Sequence, residues 1–338
     1  MTAQVKNKVT VLGAGNWGST LAVMLAEKGF SVSLWEFRAD AANKIQRERE
    51  NREFLPGIKL PDGITVDWDA GKCLSGSQAV FWALPSKVLR SVCRNVRTFL
   101  KKDLLLVSAI KGIEVSSLMR CSQVLGQELG EKASRLAVLS GPNIAPEIAR
   151  HIPSTTVVAA NFPEDAKEVQ EMLRSLYFRV YTGDDIIGLE LGGSLKNIIA
   201  IAGGIIDGLG LGANTKGALL TRGLAEITRL GAAMGARTDT FAGLSGMGDL
   251  ITTCFSQQSR NRSVGQQIGQ GRKLADILGR MSMVAEGVET TKAARLLAQK
   301  HNIEMPITQQ MYLVLFQDKD PAEALKDLMG RDAKAEQW

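Results

Sequence analysis

The chain has 338 residues, of which 45% are hydrophobic and 22% are charged. This length suits one large or two ordinary domains, and the composition excludes a mainly disordered chain. The formal charge of +6 fits an anionic small molecule at least as well as a nucleic acid, which usually needs a dense basic stripe. We therefore expect no nucleic-acid partner. With only two histidines, His151 and His301, we also expect no histidine-rich metal centre.

The four cysteines lack the CxxC spacing of zinc and redox motifs. We interpret them as buried free thiols, which favours a reducing compartment. The N-terminus is polar, and the apolar run at residues 9–12 is too short for a signal peptide. Charged residues interrupt the longest apolar region, residues 186–211, so we expect no membrane span. These observations predict a cytoplasmic protein.

The first half of the chain alternates short apolar runs with amphipathic stretches. The apolar runs predict buried strands at residues 9–12, 31–35, 79–84, 104–108 and 136–139. The stretches between them predict helices at residues 17–28, 39–49, 87–100 and 117–129. This alternation is typical of a parallel sheet covered on both faces. The charge run at residues 48–53 indicates a solvated helix end, and residues 54–57 begin a loop.

The second half has a different character, because strand signals stop after Asp184. Helical patterns follow at residues 187–204, 216–234, 262–269, 273–278, 290–301 and 308–315. We therefore predict two domains. An α/β domain spans residues 1–184, and an all-α domain spans residues 185–338.

Residues 13–18, with the sequence GAGNWG, match the GxGxxG fingerprint of dinucleotide-binding proteins. A predicted strand precedes the motif, a predicted helix follows it, and Glu36 ends the second strand about 20 residues on. Gly13 permits the tight turn, Gly15 lets the backbone approach a pyrophosphate, and Gly18 lets the helix pack close to the strand. Glu36 can accept hydrogen bonds from a ribose diol, and Arg38, two residues further on, can turn to neutralise a 2′-phosphate. The α/β domain is therefore predicted to bind a dinucleotide.

Further motifs follow in order along the chain: Lys111-Gly112, Ser140-Gly141-Pro142, LGGSLKN at residues 191–197, GMGDL at 246–250 and SRNR at 259–262. Together with the fingerprint, this series resembles the soluble NAD(P)-dependent glycerol-3-phosphate dehydrogenases over nearly the whole chain. The resemblance implies a Rossmann-type domain followed by an all-helical domain that binds substrate and carries the catalytic group. It implies reversible hydride transfer from NAD(H) or NADP(H) to dihydroxyacetone phosphate, giving sn-glycerol 3-phosphate for glycerophospholipid synthesis. The oligomeric state stays open, with a homodimer as one outcome.

Reduction of a ketone requires a proton donor, and Lys196 is the best candidate because it lies in an otherwise apolar helical stretch. Its pKa must fall by roughly 2.5–3 units from about 10.4 to suit catalysis, and burial lowers the pKa of an ammonium group. The alternative is a lysine that pairs with a carboxylate and reaches solvent. Lys111 follows a buried strand at the carboxyl end, where ligands bind in such sheets. A solvated surface lysine is the alternative there.

Asp249 lies in a glycine-rich turn, where it either caps the turn or, as the resemblance implies, belongs to the substrate site. Arg260 suits a phosphate, since guanidinium groups bind phosphates through paired hydrogen bonds, although a basic helix start on the surface is the alternative. Lys196 is the implied general acid and base. The implied substrate contacts are Lys111, Asn197, Asp249, Thr253, Ser259, Arg260 and Asn261. The fingerprint and the end of the second strand predict cofactor contacts at Gly13, Gly15, Asn16, Trp17, Gly18, Glu36 and Arg38. The resemblance implies further cofactor contacts at Lys111, Gly141, Asn143, Ala145, Arg260, Val284 and Glu286.

Two other functions compete with this one. A β-hydroxyacid-type dehydrogenase also uses a lysine on a helix, but Trp17 and the SRNR block argue against it. A non-catalytic NAD(P)-binding sensor would be expected to lack the lysine or the substrate cluster, and both are present.

Overall fold

A computed structural model describes residues 7–281, 284–333 and 335–336. The chain divides into two compact units. The sheet unit comprises Met1–Ile110 and Cys121–Ile186, and the helical unit comprises Lys111–Arg120 and Ile187–Trp338.

The sheet unit contains one eight-stranded sheet with the order β3-β2-β1-β4-β5-β6-β7-β8. Its strands are β1 Lys8–Leu12, β2 Ser31–Trp35, β3 Ile64–Asp67, β4 Ala79–Trp82, β5 Leu105–Ser108, β6 Leu136–Ser140, β7 Ser154–Ala160 and β8 Phe178–Gly183. The first six strands follow the Rossmann order and pair in parallel. The predicted Rossmann-type fold is confirmed.

Helices connect the strands of the sheet unit. They are α1 Asn16–Glu27, α2 Ala39–Glu48, α3 Ala70–Leu74, α4 Leu89–Val96, α5 Cys121–Leu129, α6 Ala145–Ile148 and α7 Pro163–Leu173. Every residue of β4, β5 and β6 is buried, as expected for parallel strands covered on both faces. The core contains the apolar side chains of these strands together with those of α1 and α7.

The predicted strands pair in parallel, but the sheet continues beyond them with one antiparallel pair, because β7 runs antiparallel to β6. The connection between them, residues 141–153, contains only the four-residue helix α6 and lacks the long helix that usually joins a parallel pair. Sequence patterns also missed β3, β7 and β8. The first of these has only two buried apolar residues, Ile64 and Val66, so it lacks the continuous apolar run that predicted the other strands.

The helical unit contains α8 Ile186–Gly208, α9 Ala213–Ala233, α10 Thr238–Ala242, a π-helical turn at Leu244–Gly248, α11 Asp249–Phe255, α12 Arg260–Gly269, α13 Leu274–Gly279, α14 Glu286–Lys300, α15 Pro306–Phe316 and α16 Pro321–Met329. Helix α8 is long and apolar enough to cross a membrane by length and composition. However, 94% of its apolar window is buried within the protein, as in the core helix of a globular domain.

The segment Lys111–Arg120 belongs to the helical unit. Within it, Ile113 and Arg120 form an isolated antiparallel bridge, and the Arg120 guanidinium pairs with the buried carboxylate of Glu190 on α8. The predicted helix at residues 117–129 begins only at Cys121, because Leu118 has a φ of +59°, which is incompatible with a right-handed helix.

Glycines bring α12 and α14 against α8. A Cβ at Gly265 of α12 would lie 1.9 Å from the carbonyl oxygen of Ile201, and one at Gly204 of α8 would lie 2.0 Å from that of Arg262. At the start of α14, a Cβ at Gly287 would lie 2.6 Å from the carbonyl oxygen of Asn197. The backbones therefore touch, and this close packing brings the starts of α12 and α14 to the middle of α8.

Candidate active site

The fingerprint loop of the sheet unit has the geometry that a pyrophosphate requires. Gly13 has a φ of +107°, and a Cβ at Gly18 would lie 1.9 Å from the Gly13 carbonyl oxygen. A Cβ at Gly15 would meet no described atom within 4 Å, so the loop is open at the position where a ligand would approach. Helix α1 begins at the next residue, and because its N-cap residue Gly15 has no side chain, nothing from that residue caps the first N–H groups of the helix. Asn16 accepts a hydrogen bond from the Trp17 N–H at 2.8 Å.

Asn51 supports this loop, and sequence analysis missed it. Its side-chain amide donates to the Ala14 carbonyl oxygen at 2.7 Å and to the Ser19 hydroxyl at 2.9 Å. The residue is buried, although the charge run that contains it was predicted to be a solvated helix end. The only available signal was an uncharged amide in a run of charged residues.

Glu36 and Arg38 lie at the carboxyl end of β2. Glu36 is buried, and its Oε1 accepts hydrogen bonds from the Arg38 Nε at 2.9 Å and from the Arg38 backbone N–H at 3.2 Å. The Gly13 N–H donates to the carbonyl oxygen of Trp35, so the fingerprint loop is joined directly to this strand end. The acidic residue therefore lies where a ribose diol is expected.

The loop after β6 contains the other three cofactor candidates of this unit. Gly141 has a φ of +146°. The Asn143 side chain donates to the Thr155 carbonyl oxygen and accepts from the Thr156 hydroxyl, at 3.2 and 3.0 Å. Ala145 accepts a hydrogen bond from Thr20 of α1. The structure thus brings this loop to the helix that follows the fingerprint.

In the helical unit, Asp249 joins two lysines. Its Oδ1 is 2.5 Å from the Lys196 Nζ, and its Oδ2 is 2.7 Å from the Lys111 Nζ. The Lys196 Nζ also donates to the Thr253 hydroxyl at 2.6 Å. Lys196, Asp249 and Thr253 are buried. Two cations and one anion in a water-poor environment are unusual in a purely structural core.

Burial lowers the pKa of Lys196 to about 8, against the opposing effect of Asp249. The positive charge of Lys111 lowers it further. A lysine with this pKa exchanges its proton near neutral pH, as a general acid and base must. The lysine pairs with a carboxylate, as the alternative prediction held, but it is buried and does not reach solvent.

Two asparagines connect α8, the helix that contains Lys196, to Lys111 and to the neighbouring helices. The Asn197 side chain donates to the Lys111 carbonyl oxygen at 3.3 Å and accepts from the Asn261 amide at 2.9 Å. Asn261 in turn accepts a hydrogen bond from the Gly287 N–H at 3.0 Å. This chain of bonds fixes Lys111 and the starts of α12 and α14 relative to Lys196.

Arg260 is the first residue of α12, and Ser259 caps the helix by accepting a hydrogen bond from the Arg262 N–H. Burial lowers the pKa of Arg260, although the charge of Glu286 opposes this effect. No hydrogen bond joins the Arg260 guanidinium to any other residue among those that the structure describes. A partly buried guanidinium at a helix N-terminus is well suited to bind an anion.

A further ion cluster on α8 was not predicted. Asp207 accepts from the Lys216 Nζ and from the Arg262 Nε, each at 2.7 Å. These contacts fix the first turn of α12, which contains Arg260. Val284 is partly buried, as is Glu286 at the start of α14. Across residues 7–281, 284–333 and 335–336, no three His, Cys, Asp or Glu side chains form a cluster that could hold a metal ion.

Comparison with known proteins gives consistent matches over both units. Residues 8–166 match the family profile of the NAD-dependent glycerol-3-phosphate dehydrogenase N-terminus, and residues 185–326 match that of the C-terminus. A protein of Geobacter sp. (strain M21) named glycerol-3-phosphate dehydrogenase (NAD(P)+) is 51% identical over 97% of this chain and 98% of its own length. A protein of the same name from Geobacillus kaustophilus is 49% identical over 97% of this chain and 96% of its own length.

A solved structure is also similar. The crystal structure of glycerol-3-phosphate dehydrogenase from Coxiella burnetii is 38% identical in sequence and has a TM-score of 0.92. The match covers 96% of this chain and 99% of that one.

Proposed function

The chain belongs to the NAD-dependent glycerol-3-phosphate dehydrogenase family, and on that premise we propose that it reversibly reduces dihydroxyacetone phosphate to sn-glycerol 3-phosphate. When bound, NADH or NADPH supplies the hydride. The product would provide the backbone of glycerophospholipids. The observation that carries the proposal is the buried Lys196–Asp249–Lys111 cluster, with a lysine pKa of about 8.

Lys196 gives the proton that the reduced carbonyl oxygen needs. In the ammonium form, its Nζ donates toward the substrate oxygen while Asp249 and Thr253 hold it in place. In the reverse direction, the neutral amine takes the hydroxyl proton. Burial keeps the pKa of Lys196 low enough for both directions, and the charge of Lys111, which shares Asp249, lowers it further.

Arg260 binds the phosphate of the substrate. Its guanidinium has no hydrogen-bond partner among the residues described, and the N-terminus of α12 adds a partial positive charge. Ser259 and Asn261 order this turn through their own hydrogen bonds. A phosphate anchored here supplies binding energy that the small ketone alone cannot.

The sheet unit fits a dinucleotide. The open position at Gly15 admits the pyrophosphate, the N-terminus of α1 faces it, and Glu36 accepts hydrogen bonds from the ribose. The cofactor contacts proposed in the helical unit are Lys111, Arg260, Val284 and Glu286, and they rest on the resemblance.

A spectrophotometric assay tests the proposal. Oxidation of NADH and of NADPH is followed with dihydroxyacetone phosphate, with unphosphorylated dihydroxyacetone and with short β-keto acids. We expect turnover with the phosphorylated ketone and far less with the others. Preferential turnover of the acids would instead indicate a β-hydroxyacid-type dehydrogenase. Cofactor binding without turnover of any substrate would indicate a sensor.

Three further statements are proposals. The domain boundary lies near Asp184, with dinucleotide binding over residues 1–184 and substrate binding over residues 185–338. The protein is cytoplasmic, which agrees with four cysteines that are all buried and form no disulfide in the part of the chain described. A homodimer is the proposed assembly, and light scattering coupled to gel filtration would test it.

A further inference from the structure

A cluster of charged side chains lies at the carboxyl end of β2 and extends beyond Glu36, the residue predicted to bind the ribose. The Arg38 guanidinium donates from Nε to Glu36 at 2.9 Å and from Nη2 to the Oε2 of Glu53 at 3.2 Å. Its central carbon also lies 5.7 Å from the centre of the Phe37 ring and 5.9 Å from that of the Phe54 ring. Both carboxylates raise the pKa of Arg38, Glu36 more strongly. Arg38 is therefore held in one position by several groups.

The charges of this cluster do not balance. Two carboxylates face one guanidinium, which leaves a net charge of −1 on Glu36, Arg38 and Glu53 together. A ribose 2′-hydroxyl is neutral and can donate to Glu36. A 2′-phosphate is anionic, meets a like charge, and gains a partner only if Arg38 leaves the carboxylates.

The two carboxylates differ in burial. The side chain of Glu36 is 5% exposed, whereas that of Glu53 is 45% exposed. Glu36 is thus a fixed part of the strand end. Glu53 reaches Arg38 from the segment after α2, and its removal leaves no buried group without a partner. Its contact with Arg38 is the part of the cluster that a substitution can change cleanly.

We infer that Glu53 is a specificity-determining residue for the cofactor: by holding Arg38 beside Glu36, it disfavours a dinucleotide with a 2′-phosphate and favours NADH. The inference rests on the proposed function only in requiring that the chain binds these dinucleotides. Glu53 acts through Arg38, so it is a positioning residue that need not touch the cofactor.

Direct binding measurements test this role. The Kd values of NADH and NADPH are measured by nicotinamide fluorescence without substrate, for the wild-type protein and for Glu53→Gln. We expect the Kd of NADPH to fall about fivefold, equivalent to about 1 kcal/mol, the upper range for an exposed ion pair. The Kd of NADH should change little, because Glu36 is retained.

Glu50→Gln is the matched control. It removes the same charge from the same segment, but Glu50 pairs with Arg52 and Lys59, and a glutamine can still accept the hydrogen bond from the Gly57 N–H. We expect this variant to leave the ratio of the two Kd values near that of the wild type. An equal shift in Glu50→Gln would show a general charge effect and overturn the inference.

The double variant separates action through Arg38 from direct repulsion. In an Arg38→Ala background, Glu53→Gln should no longer change the ratio. A shift that persists there, or an unchanged ratio in the single variant, overturns the inference. Absence of turnover with dihydroxyacetone phosphate, alongside the expected shift in Kd, would overturn the proposed substrate and leave the inference standing.

Discussion

Replacing Asp249 with asparagine tests the proposed proton donor most directly. The carboxylate lies 2.5 Å from the Lys196 Nζ and 2.7 Å from the Lys111 Nζ, and it opposes the lowering of the Lys196 pKa. Asparagine keeps the shape but removes the charge, so two cations then lose the anion between them. Loss of an opposite charge this close shifts a pKa by about 1–3 units. The pKa of Lys196 should therefore fall from about 8 to between about 5 and 7.

The pH dependence of kcat in both directions reports this shift. Ketone reduction needs the ammonium form, so its rate falls as pH rises through the pKa of Lys196, and in Asp249→Asn that fall moves to lower pH. At pH 8, protonation alone would reduce the rate by about five- to 500-fold for shifts of 1–3 units. Oxidation of the alcohol needs the neutral amine, and its rise with pH should move down by the same amount.

Asp207→Asn provides the control for this experiment. Asp207 also lies on α8, but its ion pairs are with Lys216 and Arg262. Its loss should leave the midpoints of both pH profiles in place. The reasoning fails if Asp249→Asn leaves both midpoints unchanged or moves them to higher pH.

Four further outcomes follow from the site. Lys196→Ala should lower kcat by about 10²–10⁴-fold while NADH still binds in a fluorescence titration, and retention of more than about a tenth of wild-type kcat would remove Lys196 from the mechanism. Because the pKa of Lys196 is about 8 in the folded protein and 10.5 is its ordinary value, the unfolded chain holds more protons between these values. Urea unfolding at several pH values should therefore show a Lys196 contribution that raises stability through this window, and Lys196→Met should abolish that contribution. Arg260→Ala should raise KM for the phosphorylated ketone, because it removes charge-assisted hydrogen bonds worth roughly 1.5–3 kcal/mol, and an unchanged preference for the phosphorylated ketone over dihydroxyacetone would exclude Arg260 as the phosphate anchor. Glu36→Ala should shift kcat/KM toward NADPH by about tenfold and Arg38→Ala toward NADH, whereas no change in Glu36→Ala would show that Glu36 points away from the ribose.

The sequence alone predicted the environment of Lys196, whereas its direct contacts with Asp249 and Lys111 could be seen only in the structure. An apolar stretch of helical period predicted burial and a lowered pKa, because both depend on neighbours along the same helix. Asp249 and Lys111 are 53 and 85 residues away from it in the chain. Their contacts depend on how separate segments of the chain pack together, and the spacing of residues in the sequence does not predict that packing. The resemblance grouped these residues without giving their contacts.

Local patterns also differed in how much they predicted. The fingerprint could be predicted well, because its glycines serve a tight turn at Gly13 and a close contact between Gly18 and the Gly13 carbonyl oxygen, which are neighbours in sequence. Strands β7 and β8 could not, since their pairing depends on the far edge of the sheet. Arg38 was expected to be able to turn toward a 2′-phosphate. Its contact with Glu53 depends on how the chain returns after α2, which no short motif encodes.

The helical unit is discontinuous in sequence, and this limits how such a protein can be recombined. Lys111 forms an ion pair with Asp249, and Arg120 forms one with the buried Glu190. Both basic residues belong to the segment Lys111–Arg120, which lies in sequence between the two parts of the sheet unit. A chimaera of two relatives joined once near residue 184 would inherit these cations from one parent and their carboxylates from the other. The ion pairs keep both partners from one parent only if residues 111–120 are taken from the same parent as the C-terminal half. A single crossover therefore cannot exchange the proposed substrate unit as a whole. Directed recombination in this family should use three junctions, at residues 110, 120 and 186.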